Sequence, residues 1–468
     1  MAFKKKLYKL APGKNKQEVE VQLTKRKRTS IKVSAQSNEH YLREILANKL
    51  SGTHVGLWLL VPEYQRMGAW DLLKGCFNEY DNDNLNARLG LQLANESALC
   101  ANRIREKNAL CNRGFSLVNG LSFLATDETI HQLLNGQSVQ QYQNTQIALA
   151  KIRRLAGHYS SENILAMDPH RIVSSTKRVM VRKKKRPEEP SKKMLQTFFC
   201  NDAITGQPIA FTIGSSGQTC SFASKQLFDM LQKAGVKRML LLADKEHFTK
   251  QILEYVAKTN DFDIIIPAPS IKKITHCFEE LNYKKKWPGY ALAETDYKFS
   301  QADFSYRLIV QRTGEVANQY SYAAFLTTST KASEQLLPQD FPRRWTIEEF
   351  FNFEGDMGWN RASTFNLNIR YGRQTMALMA QAATYQLRTK LPKPYRQWTA
   401  KHTSEQIFSS MDGDVRVKDD TIIVTYYNDY QKLGLKKHYE NLPEKLSREG
   451  INPKIPWLYD YKLDFRFK

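Results

Sequence analysis

The chain has 468 residues, 41% of them hydrophobic, more than one ordinary core can use, so two to four globular domains are expected. Its 70 Lys and Arg against 47 Asp and Glu leave a net charge of +23, which favours a polyanionic partner, nucleic acid first, though an anionic membrane surface could draw the same charge. No apolar stretch approaches the roughly 20 residues that cross a bilayer, MAFKKKLYKL has neither the apolar core nor the cleavage site of a secretory signal, and six scattered cysteines show no paired metal-ligand spacing, so a reducing, cytoplasmic setting without a membrane is expected.

Residues 1–36 are polar and basic, with Lys4–Lys6 and Lys25–Arg28, and read as a flexible arm, solvated or touching phosphates. Residues 37–157 turn helical: apolar positions recur three and four apart through NARLGLQLANESALCANRIREKNALC. In LATDETIHQLL, Thr126 or Asp127 caps a helix carrying Ile130, Leu133 and Leu134, either one member of a helix-turn-helix unit or an ordinary bundle helix. This segment is the expected helical DNA-binding domain.

From 158 the period changes to strands, then alternates with helices, the pattern of an α/β domain. ILAM (164–167) reads as a buried strand stopped by Asp168-Pro169, and LQTFFC (195–200) and PIAFTI (208–213) as strands around a turn at 202–206. Then come the helix FASKQLFDMLQKAG, the strand MLLLA (239–243), the helix TKQILEYVAKT and the strand DIIIPAP. Residues 158–268 thus form the first half of a core. Residues 269–335, with YALAETDY, FSYRLIVQR and YSYAAFLTT, read as an antiparallel β insertion, and 336–395 return to helix as the second half. Residues 396–468 hold a strand, DTIIVTYY, and an aromatic tail whose role the sequence leaves open.

Three acids stand out. Asp168 and Asp244 each follow an apolar strand, the sheet edge at which open α/β folds place ligands, and Glu348 lies in the first turn of RWTIEEFF. If the two strands are parallel neighbours their carboxylates converge, repel, and call for a cation between them; magnesium suits an all-oxygen set. Thr346 and Glu349 have the spacing of a capping box, which leaves Glu348 bordering a buried stripe of Ile347, Phe350 and Phe351; Phe353 is expected in the core as well. Arg344, four residues before Glu348, can orient that carboxylate or meet a phosphate.

These residues resemble the DDE transposases of bacterial insertion sequences, with an RNase H-like catalytic core. In that family the first Asp ends strand one, the second ends strand four and the Glu lies on a later helix, as Asp168, Asp244 and Glu348 do; Asp202-Ala-Ile-Thr205-Gly206 is similar to its turn between strands two and three. One branch carries a β insertion before the Glu and a Tyr-Arg-Glu-Lys signature. Phe341-Pro-Arg-Arg344-Trp-Thr-Ile-Glu348 keeps its Arg-to-Glu spacing, while Phe341 replaces the Tyr and Gly355 the Lys. The resemblance, over roughly residues 160–390, implies that Asp168, Asp244 and Glu348 bind two Mg²⁺ ions, or Mn²⁺. It further implies cleavage at transposon ends, joining of the 3′-hydroxyl to target DNA in a cut-and-paste reaction, and a homodimer on double-stranded DNA. A metal-dependent nuclease without strand transfer, and a non-catalytic DNA-binding protein derived from a transposase, stay open.

His170 and His247 allow a mixed Asp/His site for zinc or manganese to be drawn, and Glu246 is either an aid to a metal-bound water or a solvated loop acid. Arg182, Lys183, Lys184, Lys185 and Arg186, between the first two strands, and Lys284 and Lys285 in the insertion are expected to contact DNA, as is Arg344. Trp287 either stacks on a base or packs within the insertion. A nucleoid-associated, cytoplasmic location follows from that partner.

Overall fold

The computed structural model describes residues 35–52, 54–79, 85–102, 104–110, 114–184, 188–215, 217–360, 364–427 and 431–468. Nearly all of the expected arm, with Lys185 and Arg186, lies outside the described residues. The chain divides into two units: Val139–Gly355 with Trp359–Tyr371, and Met1–Ser138 with Asp356–Gly358 and Gly372–Lys468.

The first of these holds the α/β core. Its strands are β1 (Ile164–Val173), β2 (Lys192–Asp202), β3 (Pro208–Ser215), β4 (Met239–Ala243) and β5 (Phe262–Pro267), ordered β3-β2-β1-β4-β5. β2 is antiparallel to β1 and β3, whereas β1, β4 and β5 run parallel. Parallel neighbours need crossovers, and α2 (Cys220–Lys233) and α3 (Lys250–Thr259) supply them; Thr219 and Thr249 cap these helices by accepting from Phe222 N and Ile252 N. With α1 (Val139–Leu155) in front, this is an RNase H-like fold. Asp202 builds the turn between β2 and β3, its Oδ1 accepting from Thr205 N at 2.7 Å and Thr205 Oγ1 at 2.9 Å.

Side chains alternate across a sheet. Leu165 and Met167 of β1, Leu241 and Ala243 of β4, and Ile264 and Ile266 of β5 all enter one core with Leu227, Phe228 and Leu231 of α2 and Ile252, Leu253 and Val256 of α3. The opposite face meets α4 (Thr346–Glu354): Phe199 of β2 packs on Phe350 and Phe351 and edge-on to Trp359, with centroids 5.4 Å apart in the last pair. The exposed edge of β3 is covered as well. Phe211 N donates to Gln146 Oε1 of α1 at 3.0 Å and Ile213 N to the Tyr371 hydroxyl at 2.8 Å, so outward-facing amides of an edge strand find partners.

The insertion does not form a separate sheet. It contributes β6 (Lys284–Trp287), β7 (Tyr290–Tyr297), β8 (Tyr306–Thr313) and β9 (Ser321–Thr327), and β9 pairs antiparallel with β5, extending the core sheet as β5-β9-β8-β7-β6. Three expectations are corrected. Asp168-Pro169 does not stop β1, which continues to Val173 against β2; beyond Met167 it has no partner on the β4 side, so the missing N–H of Pro169 is tolerated there. No capping box forms at Thr346, because the turn Phe341–Trp345 runs straight into α4 and Thr346 Oγ1 donates to Arg343 O instead. Phe353 is 42% exposed, since α4 turns it away from the side that buries Ile347 and Phe350.

The second unit combines helices, among them Leu85–Ala98 and Asp127–Asn135, with a sheet ordered Leu50–Gly52, Gly413–Lys418, Thr421–Tyr426, Lys462–Phe467. Thr126 caps the helix at Asp127 as the sequence predicts, accepting from Thr129 N. The aromatic tail is structural: Trp457 is buried, donates from Nε1 to Val118 O at 3.1 Å, and its carbonyl accepts from Arg88 Nε at 3.0 Å. Buried Glu63 is neutralised by Lys390 and Arg66 and accepts from the Tyr439 hydroxyl at 2.7 Å. Cys76, Cys200 and Cys220 are buried and Cys100 and Cys277 half-buried; Cys111 lies outside the described residues. No described helix is long and apolar enough to cross a membrane.

Candidate active site

The parallel pairing of β1 and β4 ends at Met167 opposite Ala243, and the next residue of each chain is an aspartate. Leu165, Met167, Leu241 and Ala243 occupy the α2–α3 side, so alternation turns Asp168 and Asp244 to the other side, towards α4. Asp244 keeps extended dihedrals, φ −75° and ψ 162°, and so continues the alternation past the last rung of β4. Glu348 enters from α4, on the flank of the helix that borders its buried stripe, while Glu349 is exposed as its 100° rotation requires.

The acids sense one another. Burial, then the Asp244 charge, and more weakly Glu348, push the Asp168 carboxyl up to about 8, against the opposing pull of Arg344 and Arg171. Asp168 retains only 20% exposure of its side chain. Arg344 spans two of the three: its Nη2 donates to Glu348 Oε1 at 3.0 Å and its Nη1 lies 3.8 Å from Asp168 Oδ1. Among the described residues no three His, Cys, Asp or Glu groups ring a single ion as they stand. The donor set nonetheless fits a hard divalent cation in its chemistry, being all carboxylate oxygen with a mutual repulsion that a cation relieves.

The histidines serve the scaffold. His170 stacks on Phe351 with centroids 4.1 Å apart, and His247 is buried behind Asp244, its Nδ1 3.2 Å from the Asp244 carbonyl and its basicity lowered by burial. Glu246 is an ion-pair partner of Arg171. Arg171 carried no motif in the sequence; its offset of three from Asp168, matched to the offset of two between Glu246 and Asp244, becomes meaningful only once β1 and β4 are neighbours.

Of the basic residues, Arg182 and Lys184 are exposed, and Arg182 and Lys183 pair with Lys193 and Lys192 as a short extension of β2. Lys284 and Lys285 are exposed on β6, at the far edge of the sheet. Trp287 is 44% exposed and lies flat on Tyr290, 4.2 Å between centroids, rather than inside a core. Phe341, which stands where the signature has Tyr, packs edge-on to Phe325.

Residues 159–382 match the family described as Transposase DDE domain. A search of curated proteins finds no match. Among solved structures, the chain is similar to one titled "Cryo-EM structure of piggyBac transposase synaptic complex with hairpin DNA (SNHP)", at 10% identity over 74% of this chain and 79% of that chain, with a TM-score of 0.41. The match to the family model spans β1 to β9, α4 and all three acids.

Proposed function

We propose that the protein is an insertion-sequence transposase that binds transposon ends, cleaves them and joins the freed 3′-hydroxyl to target DNA. The observation that carries this reading is the pair Asp168 and Asp244, one residue past the last rung of two parallel strands, with Glu348 brought to the same side by α4. Asp168, Asp244 and Glu348 would hold Mg²⁺ or Mn²⁺, and two such ions supply activation of the attacking oxygen and stabilisation of the leaving one. The protein's own part is positional. Two aspartates on a rigid sheet fix one wall of the site, α4 adds the third acid, and Arg344 holds the Glu348 carboxylate in place.

The net charge of +23 supports a DNA partner. Lys284 and Lys285 lie six strand spacings from β1, roughly 29 Å, a span of about eight base pairs. They would grip a duplex at a distance from the cut, with Arg182, Lys183 and Lys184 nearer to it and the helices ahead of α1, within residues 37–138, reading the ends. A homodimer holding paired ends, acting at the nucleoid in the cytoplasm, completes the proposal.

The test is incubation of purified protein with its element's end DNA and Mg²⁺, wild type beside Asp244→Asn, with products resolved on a denaturing gel. Strand-transfer products that vanish in the variant, while DNA binding persists, are expected. Cleavage without joining would point to a nuclease, and binding without any Mg²⁺-dependent product to a non-catalytic DNA-binding protein.

A further inference from the structure

We propose that the Arg171–Glu246 ion pair is a positioning device that sets the spacing of Asp168 and Asp244; this rests on reading those two acids as the catalytic pair. No backbone pairing holds β1 to the β4 side beyond Met167 and Ala243. From there β1 runs on with β2 alone, while the chain after β4 enters the tight turn Lys245–His247. Two carboxylates sit where the strands part, and when both are ionised their repulsion acts to widen the gap.

Arg171 and Glu246 close it from behind. Arg171 shares its side of β1 with Leu165 and Met167, opposite the carboxylates, and its Nη2 donates to Glu246 Oε2. Both ends of the link are anchored. Arg171 Nε donates to Gln196 Oε1 at 3.3 Å, on the β2 residue directly opposite, and Glu246 Oε2 lies 3.8 Å from the Cys220 thiol at the start of α2. Arg171 is 13% exposed and Glu246 38%, so the bridge is partly screened from water. A guanidinium forked between a neighbouring strand and the turn after β4 ties the Asp168 and Asp244 segments to one frame.

The test uses the full chain and Mn²⁺ alone, with free ion read by electron paramagnetic resonance and folding checked by thermal melting. Arg171→Gln and Glu246→Gln should each weaken Mn²⁺ binding up to about fivefold, and the double variant should lose no more than the weaker single. Arg171→Lys should recover part of the loss. Local charge alone predicts opposite signs, with Arg171→Gln tightening binding and Glu246→Gln weakening it; that result, or variants that bind as wild type, overturns the proposal. If Arg171→Gln does not fold, Arg171→Lys with Glu246→Gln carries the comparison. Wild type binding Mn²⁺ no better than Asp244→Asn would instead sink the carboxylate reading, and the proposal with it.

Discussion

Arg344 donates from Nη2 to Glu348 Oε1 at 3.0 Å across one helical turn, from the turn Phe341–Trp345 into α4. The same guanidinium lies 3.8 Å from Asp168, so a single cationic group links the helix-borne acid to the strand-borne one. Arg344→Lys keeps the charge but loses the fork. Cleavage should fall on the order of 100-fold with DNA binding retained, and single-turnover rates beside a filter-binding curve check both halves; a variant that cuts at the wild-type rate refutes the role.

The raised carboxyl of Asp168 makes the metal-free protein pH-sensitive. Its folded value of about 8 lies above the ordinary 3.8, so between those values the folded chain holds a proton that the unfolded chain has lost. Stability therefore falls as pH rises through that window and levels off above about 8. Asp168→Asn should remove this component, melting higher than wild type at pH 8 in a chelating buffer and converging with it towards pH 4. A difference between the two proteins that does not change with pH would refute the sign.

Tyr371→Phe should destabilise the core without touching the acids. The hydroxyl accepts from Ile213 N at 2.8 Å and Gln143 Nε2 at 3.4 Å, and the ring stacks on Phe211. Phenylalanine keeps the stack and strands a buried edge-strand amide, at a cost of about 1–3 kcal/mol. Urea unfolding with an unchanged m-value checks it.

Replacing Lys284 and Lys285 together by alanine should weaken DNA binding at every sequence alike. Two lost phosphate contacts lower the slope of log affinity against log salt by about 1.8. An unchanged slope would show that the edge strand β6 does not meet DNA.

Gly120→Ala should damage the other unit. Gly120 has φ +71°, and a Cβ there would lie 1.9 Å from the carbonyl oxygen of Trp457, which the backbone cannot yield without losing the tail's docking. A loss of at least about 2 kcal/mol is expected from strain and displacement combined. Thermal melting reads it, and Trp457 fluorescence should shift to the red as the ring meets water.

Local chemistry made much of this protein legible from sequence. Apolar runs bounded by turns marked β1 to β5, Thr126 marked a cap, and an aspartate after each of two apolar strands marked an edge where ligands gather. Those signals are short-range and survive in one dimension. What chain order cannot carry is which strands become neighbours. The parallel register of Met167 with Ala243 brought Asp168 beside Asp244, alternation turned both towards α4, and the pairing of β9 with β5 made the insertion part of the core sheet. The same packing decided where local rules gave way: β1 ran through Pro169 because its other side had no partner, and Phe353 turned outward because α4 buries only one side. The pairing of Arg171 with Glu246, 75 positions apart, had no sequence signature, because an ion pair between distant segments exists only after the sheet has set their separation.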